Sequence, residues 1–108
     1  MEPYSIEIFV PDGDPEGLRI VSLKNWTGVG CVFPRHVWKD VRQREEFNQA
    51  GIYILSGYME DEQSDMPGAS EIPVLYIGQT DVLRNRLNQH ERSKDFWDRC
   101  IMFVSSNN

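Results

Sequence analysis

A membrane span, a disulfide framework and a basic surface are all missing from this sequence. Its apolar runs fall far short of the ~20 residues that a bilayer crossing needs. Met1-Glu2-Pro3-Tyr4 lacks the basic-then-apolar form of a secretory leader. A cytoplasmic protein without membrane contact is expected, in which the Asn25-Trp26-Thr27 sequon is not used. Cysteine is scarce. Cys31 and Cys100 lie far apart and outside any C-x-x-C spacing, so buried thiols in a reducing compartment are expected. With His36 and His90 they could supply four zinc ligands, but none of the spacings resembles a zinc motif. Repeats and low-complexity tracts are also absent. The formal net charge of -6, from 11 Lys and Arg against 17 Asp and Glu, excludes indiscriminate binding to polyanions.

What is present suits one globular domain of 108 residues, 40% hydrophobic and 11% aromatic. Charge is unevenly distributed. Glu60, Asp61, Glu62, Asp65 and Glu71 fall in a stretch with no Lys or Arg. Arg35, Lys39, Arg42 and Arg44 face only Asp40, and a second cationic stretch runs from Arg84 to Arg99. Such a chain can hold a phosphate through placed residues rather than through overall charge.

Residues 5–10 and 18–23 alternate polar and apolar around a Pro- and Gly-rich loop, which predicts a hairpin. Asn25–Gly30 reads as a turn with Trp26 as a packing anchor, and Cys31–Phe33 as a short strand. From Pro34 to about Phe47, Val37, Trp38 and Val41 recur at helical spacing, with the cations mostly on the other side. This predicts an amphipathic helix whose basic face is either solvated or a phosphate-tracking flank. Gly51–Leu55 and Val74–Gly78 read as antiparallel strands separated by a long acidic loop, Ser56 to Pro73, containing Pro67-Gly68. A helix capped by Thr80 or Asp81 then runs to about Arg92. A loop or short helical turn with core Phe96 and Trp97 follows, and Ile101–Val104 makes a last strand.

The chemistry concentrates in the second half. Alternation along a strand puts Tyr53 on the face of Gly51 and Leu55, and Tyr76 on the face of Val74 and Gly78. Each tyrosine thus sits beside a bare glycine, so the two phenols can converge where the backbone leaves room. On the helix, with Arg86 at 0°, Val82 falls near about −40°, His90 near about +40°, Leu83 near about +60° and Leu87 near about +100°. Arg86 and His90 therefore share the apolar stripe, whereas Arg84, near about 160°, faces solvent. A guanidinium along a packing face calls for an anion, and its planar fork suits phosphate.

Gly51-Ile52-Tyr53, Tyr76-Ile77-Gly78, Gln79-Thr80, Arg86 and His90 resemble the GIY-YIG nuclease family over about residues 49–108. Residues 1–48 carry no such likeness and read as an added β-hairpin and helix. The resemblance implies an α+β fold, a small three-stranded antiparallel sheet flanked by helices, here with the N-terminal β-rich extension. It implies hydrolysis of DNA phosphodiesters with one divalent metal, Mg²⁺ or Mn²⁺. Tyr53 would position and deprotonate the attacking water, and Tyr76 would hydrogen-bond the water or the scissile phosphate. Arg86 would stabilise charge growing on the phosphorane oxygens, and His90 would hold the tyrosine network or relay a proton. Gly51 and Gly78 would be the structural glycines, and Arg84, Arg92 and Lys94 would contact nucleic acid. The family's metal-binding glutamate, on a helix after the third strand, has no counterpart. After Glu91, which the helix turns away from Arg86, the only acids are Asp95 and Asp98. One expectation is a fragment whose glutamate lies beyond Asn108. The other is a catalytically silent nucleic-acid-binding or protein-interaction module on the same scaffold. Asn107 or Asn108 could serve as the family's supporting asparagine. Oligomeric state does not follow from the sequence.

Overall fold

The computed structural model describes residues 1–60 and 71–105. In chain order the elements are β1 (Ile6–Phe9), β2 (Arg19–Leu23), β3 (Gly28–Pro34), α1 (Trp38–Val41), β4 (Gly51–Glu60), β5 (Glu71–Thr80), α2 (Leu83–Ser93) and β6 (Trp97–Ser105). Single 3-10 turns at Arg35–Val37 and Glu45–Phe47 flank α1. The N-terminal hairpin forms as its alternation predicts, with Ile8 opposite Val21. So does the antiparallel pair β4–β5, with Tyr53 opposite Gly78.

The expected three-stranded sheet flanked by helices is not what the chain forms. All described strands join one six-stranded antiparallel sheet in the order β1-β2-β3-β6-β4-β5. The reason is the long pairing of β3 with β6, from Gly28 opposite Ser105 to Pro34 opposite Arg99. It makes the N-terminal strands a continuation of the sheet that carries β4 and β5. Local periodicity finds strands but cannot rank partners this far apart in sequence.

One face of the sheet is covered. Phe33, Cys100, Met102, Tyr53 and Leu55 are buried against Trp38, Val41, Phe47, Leu83 and Leu87. Alternation sends the neighbours of these strand residues to the other side. One cross-strand row there reads Ile8, Val21, Gly30, Phe103, Ile52, Gln79. The next reads Arg19, Val32, Ile101, Ile54, Ile77. Trp26, the expected packing anchor, lies with its indole over Gly28 at the rim of this second face and stays half exposed.

The helix expected over residues 34–47 is broken. Trp38 and Phe47 are nine residues apart, which is ~13.5 Å along a continuous helix. Their ring centroids are 5.1 Å apart, and Phe33 completes the cluster at 5.5 Å from Trp38 and 5.6 Å from Phe47. The chain turns back through an extended Arg44 (φ -67, ψ 151) to place Phe47 there. Burying three large rings outweighs the few helical hydrogen bonds given up. The acidic loop is also shorter than expected, because β4 runs to Glu60 and β5 starts at Glu71. Asp61, Glu62, Asp65 and Pro67-Gly68 lie outside the described residues, as do Asn107 and Asn108.

Helix α2 starts without the expected Thr80 or Asp81 cap. Val82 holds the N-cap position with no side-chain bond, and the Leu83 N–H donates to the Gln49 carbonyl at 2.9 Å. At the far end Arg35 does the capping. Its guanidinium donates to the carbonyls of Glu91 (2.6 Å), Lys94 (2.8 Å) and Trp97 (3.1 Å) and lies 4.5 Å from the Trp97 ring. Both thiols are buried and free, and burial pushes the Cys31 thiol up to about 12. Among the described residues no helix is long and apolar enough to cross a membrane.

The core assignment is open to a direct check. Phe47→Ala empties the centre of the aromatic cluster and lowers unfolding free energy by about 3–5 kcal/mol in a urea titration. Phe9→Ala, at an exposed edge position, changes it by less than about 1 kcal/mol.

Candidate functional site

The two motif glycines make close approaches that no other residue allows. A Cβ on Gly51 would lie 2.6 Å from the Phe103 carbonyl oxygen and 2.8 Å from Leu83 Cδ1, so this glycine lets α2 settle onto β4. A Cβ on Gly78 would run into the Tyr53 ring, with Cε1 at 3.0 Å and the phenol oxygen nearer still. The register puts Tyr53 opposite Gly78 and Leu55 opposite Tyr76, so both phenols stand on the helix-bearing face. Their ring centroids are 6.2 Å apart and nearly parallel. The convergence expected from the glycines is present.

His90 meets them from α2. Its Nε2 lies 2.7 Å from the Tyr53 hydroxyl, and its ring lies 5.3 Å from the Tyr53 ring and 5.1 Å, edge-on, from Tyr76. Only 4% of His90 is exposed, whereas Tyr76 is 37% exposed, so the cluster opens to solvent through Tyr76. Trp97 Nε1–H donates to the His90 carbonyl at 3.3 Å, and Lys94 N–H donates to the same oxygen at 2.9 Å, which fixes the last turn of the helix. The Lys94 ammonium stands 4.7 Å over the Tyr76 ring. His90 Nδ1 is buried and has no partner among the described residues.

The electrostatics hold this pair neutral. Burial first, then the cations Lys94 and Arg86, push the His90 pKa below its ordinary value. Burial and the Tyr76 phenol push the Tyr53 pKa up, with Arg86 pulling the other way. Moving the proton from a phenol to an imidazole already crosses about 3.5 units, or ~5 kcal/mol, before either shift is added. At neutral pH the Tyr53–His90 pair therefore positions groups by hydrogen bonding and is a weak base.

The arginines are placed differently from the helical-wheel expectation. Arg84 is the half-buried one, donating to the carbonyls of Arg42 (2.6 Å) and Arg44 (3.0 Å). Arg86 is exposed, 3.3 Å from Gln89 Oε1, at the border of the stripe formed by Leu83, Leu87 and His90. The wheel treats the covered side as one sheet surface. Here the residues after α1 pack against the other flank of α2 and take up Arg84. Arg86 still acts on both Tyr53 and His90, but the open cleft of about 690 Å³ that it lines is shared with Gly51, Ile52, Gln79, Thr80, Asp81 and Phe103 and not with the two tyrosines, His90 or Lys94. Tyr53, Tyr76, His90 and Lys94 are thus brought together, with Arg86 near enough to act electrostatically on Tyr53 and His90. Arg84 is not, and exposed Arg92 lies about 200° round the helix from His90. Arg35, grouped in the sequence with a phosphate-tracking flank, spends its donors on the carbonyls of Glu91, Lys94 and Trp97. Nothing in its spacing signals that role.

A divalent cation does not fit this cluster. Its polar atoms belong to two phenols and an imidazole flanked by two cations, and among the described residues no group of three or more His, Cys, Asp or Glu could hold a metal. Exposed His36 and buried His90 do not join the cysteines as a zinc site. Comparison with family models, with curated proteins and with solved structures gives no match for this chain.

Two measurements follow from the hydrogen bond and the depressed histidine. Tyr53→Phe leaves a buried His90 nitrogen unpaired and costs about 1–3 kcal/mol of stability, while Gly78→Ala, which displaces the ring itself, costs at least as much. His90 has a lower pKa folded than unfolded, so in the window below 6.5 the unfolded chain binds more protons. Stability contributed by neutral His90 is complete above that window and is lost as pH falls through it. Thermal melts between about pH 7.5 and about pH 5.5 show Tm falling, with a shallower slope in His90→Gln.

Proposed function

We propose that the Tyr53–Tyr76–His90 cluster, with Arg86 and Lys94, handles a DNA phosphodiester in hydrolysis of the GIY-YIG type. The observation that carries this reading is the 2.7 Å bond between the Tyr53 hydroxyl and His90 Nε2, made beside a half-exposed Tyr76. The half-exposed Tyr76 hydroxyl at the mouth of the site, backed by the buried Tyr53 hydroxyl, can orient a water and a phosphate oxygen. Arg86, exposed and with its fork largely free, offers charge-assisted hydrogen bonds to a phosphate. Its worth is greatest where negative charge develops on the non-bridging oxygens. Lys94 adds a point charge over Tyr76. No step of this scheme passes through a metal ion held by the described residues.

A second reading, a nucleic-acid-binding or protein-interaction module without catalysis, is favoured by one observation, the lack of a metal-holding donor set among the described residues. The two diverge at strand cleavage.

Incubation of supercoiled plasmid with Mg²⁺ or Mn²⁺, and in parallel with a chelator, separates them. Under the first reading the chain nicks plasmid, and Arg86→Ala reduces the rate by at least about 100-fold with little loss of fold. Because Tyr53 works as a neutral hydroxyl and burial holds its pKa up, the nicking rate shows no loss from phenol ionisation up to the ordinary phenol range near 10. Under the second, no metal gives nicking, and a short duplex is still bound with a salt slope that Lys94→Ala lowers by about 1. Absence of both nicking and duplex binding defeats the nuclease reading and the nucleic-acid-binding form of the second.

A further inference from the structure

The sheet face turned away from α1 and α2 is apolar and open. Ile6, Ile8, Ile52, Leu75, Ile77 and Phe103 are exposed by 56%, 59%, 49%, 67%, 68% and 42%. Cross-strand pairing puts five of them on that face in neighbouring rows, and Ile6 lies there two residues from Ile8. Scattered exposed aliphatics are ordinary; a continuous sheet of them marks a surface that is covered in use. At about 200 Å² for a fully exposed large side chain, these six alone present about 700 Å². The half-buried aliphatics between them bring the face to the ~800 Å² per partner of a standard interface.

We propose that this face is the interface of a homodimer, two copies packing sheet against sheet about a twofold axis. The chemistry of the face selects a second copy. Of the chain's 17 acidic residues, none falls on the two long rows or on the Pro34–Arg99–Ser56–Leu75 row beside them, where Arg19 and Arg99 are the charges; Glu60 and Glu71 share the face at the far ends of β4 and β5. Two copies of a chain with net charge -6 can therefore meet along these rows without opposing carboxylates. An anionic lipid surface or a nucleic acid finds no cationic cluster on these rows. Antiparallel sheet faces stack ~10 Å apart with strands about 30° from parallel, and a twofold axis pairs one such patch with itself. Gly30 is buried on this face beneath Phe103 and Val21, whose atoms would lie 3.7 and 3.8 Å from a Cβ there, so the two flanking side chains close over the backbone. The Tyr53–His90 cluster is on the opposite face and stays free in such a dimer. The inference is independent of what that cluster does.

Sedimentation equilibrium of the 12.6 kDa chain tests it. The expected result is twice the chain mass at tens of micromolar. Ile52→Glu and Ile77→Glu place charge on exposed positions of the face, so they leave the fold and its far-UV circular dichroism intact. Each raises the dissociation constant at least about 30-fold. Phe9→Glu, exposed on the opposite face, leaves the mass unchanged. The proposal is overturned if the wild-type chain keeps the single-chain mass up to about 0.1 mM. It is equally overturned if the dimer persists undiminished in both face variants, or if Phe9→Glu dissociates it to the same extent.

Discussion

Where β3 runs antiparallel to β6, two parts of the chain some seventy residues apart become one surface, and the remaining elements take their places from it. The register sets Cys31 opposite Met102 and Phe33 opposite Cys100. Through β4 it continues to Tyr53 opposite Met102 and Leu55 opposite Cys100. A one-residue slip would turn every one of these side chains to the other face and leave the aromatic cluster of Phe33, Trp38 and Phe47 without a floor. The candidate site is built on this floor, because α2 can bring His90 to Tyr53 only while Leu83 and Leu87 lie against it.

Several cations of this acidic chain are spent on its own backbone. Arg35 collects three carbonyls where α2 ends, and Arg84 collects two where α1 gives way to its 3-10 turn. Helix ends leave carbonyls that must find donors, and a charge-assisted bond to a guanidinium contributes more than one to a neutral donor. The cations left to meet an external phosphate beside the phenols are then Arg86 and Lys94. That division of labour links stability to the proposed chemistry: Arg35 and Arg84 lock α2, and α2 with its C-cap presents Arg86 and Lys94.

The site itself is dry at its base and open at its mouth. His90 is held neutral by burial and by two nearby cations, Tyr53 is held neutral by burial, and Tyr76 reaches solvent under the Lys94 ammonium. Such a cluster is preorganised to orient ligands by hydrogen bonds and to attract negative charge. It is not prepared to remove a proton unaided at neutral pH.

Short-range pattern determined a good deal by itself. Alternation and short apolar runs located β1, β2, β4 and β5, the glycine beside each tyrosine left room for the phenols to converge, and helical spacing put His90 in the apolar stripe with Leu83 and Leu87. These features depend on residues within a turn or a strand of one another, so they are written locally. Only the tertiary structure decided that the sheet has six strands, that the segment after Pro34 breaks to return Phe47 to Trp38, and that Arg84 rather than Arg86 is enclosed. It alone showed one face left open as a broad apolar surface. Each of these turns on a contact between distant segments, β3 with β6 or α2 with the chain beyond α1. Its free energy depends on which surfaces meet, and no periodicity within either segment encodes that choice.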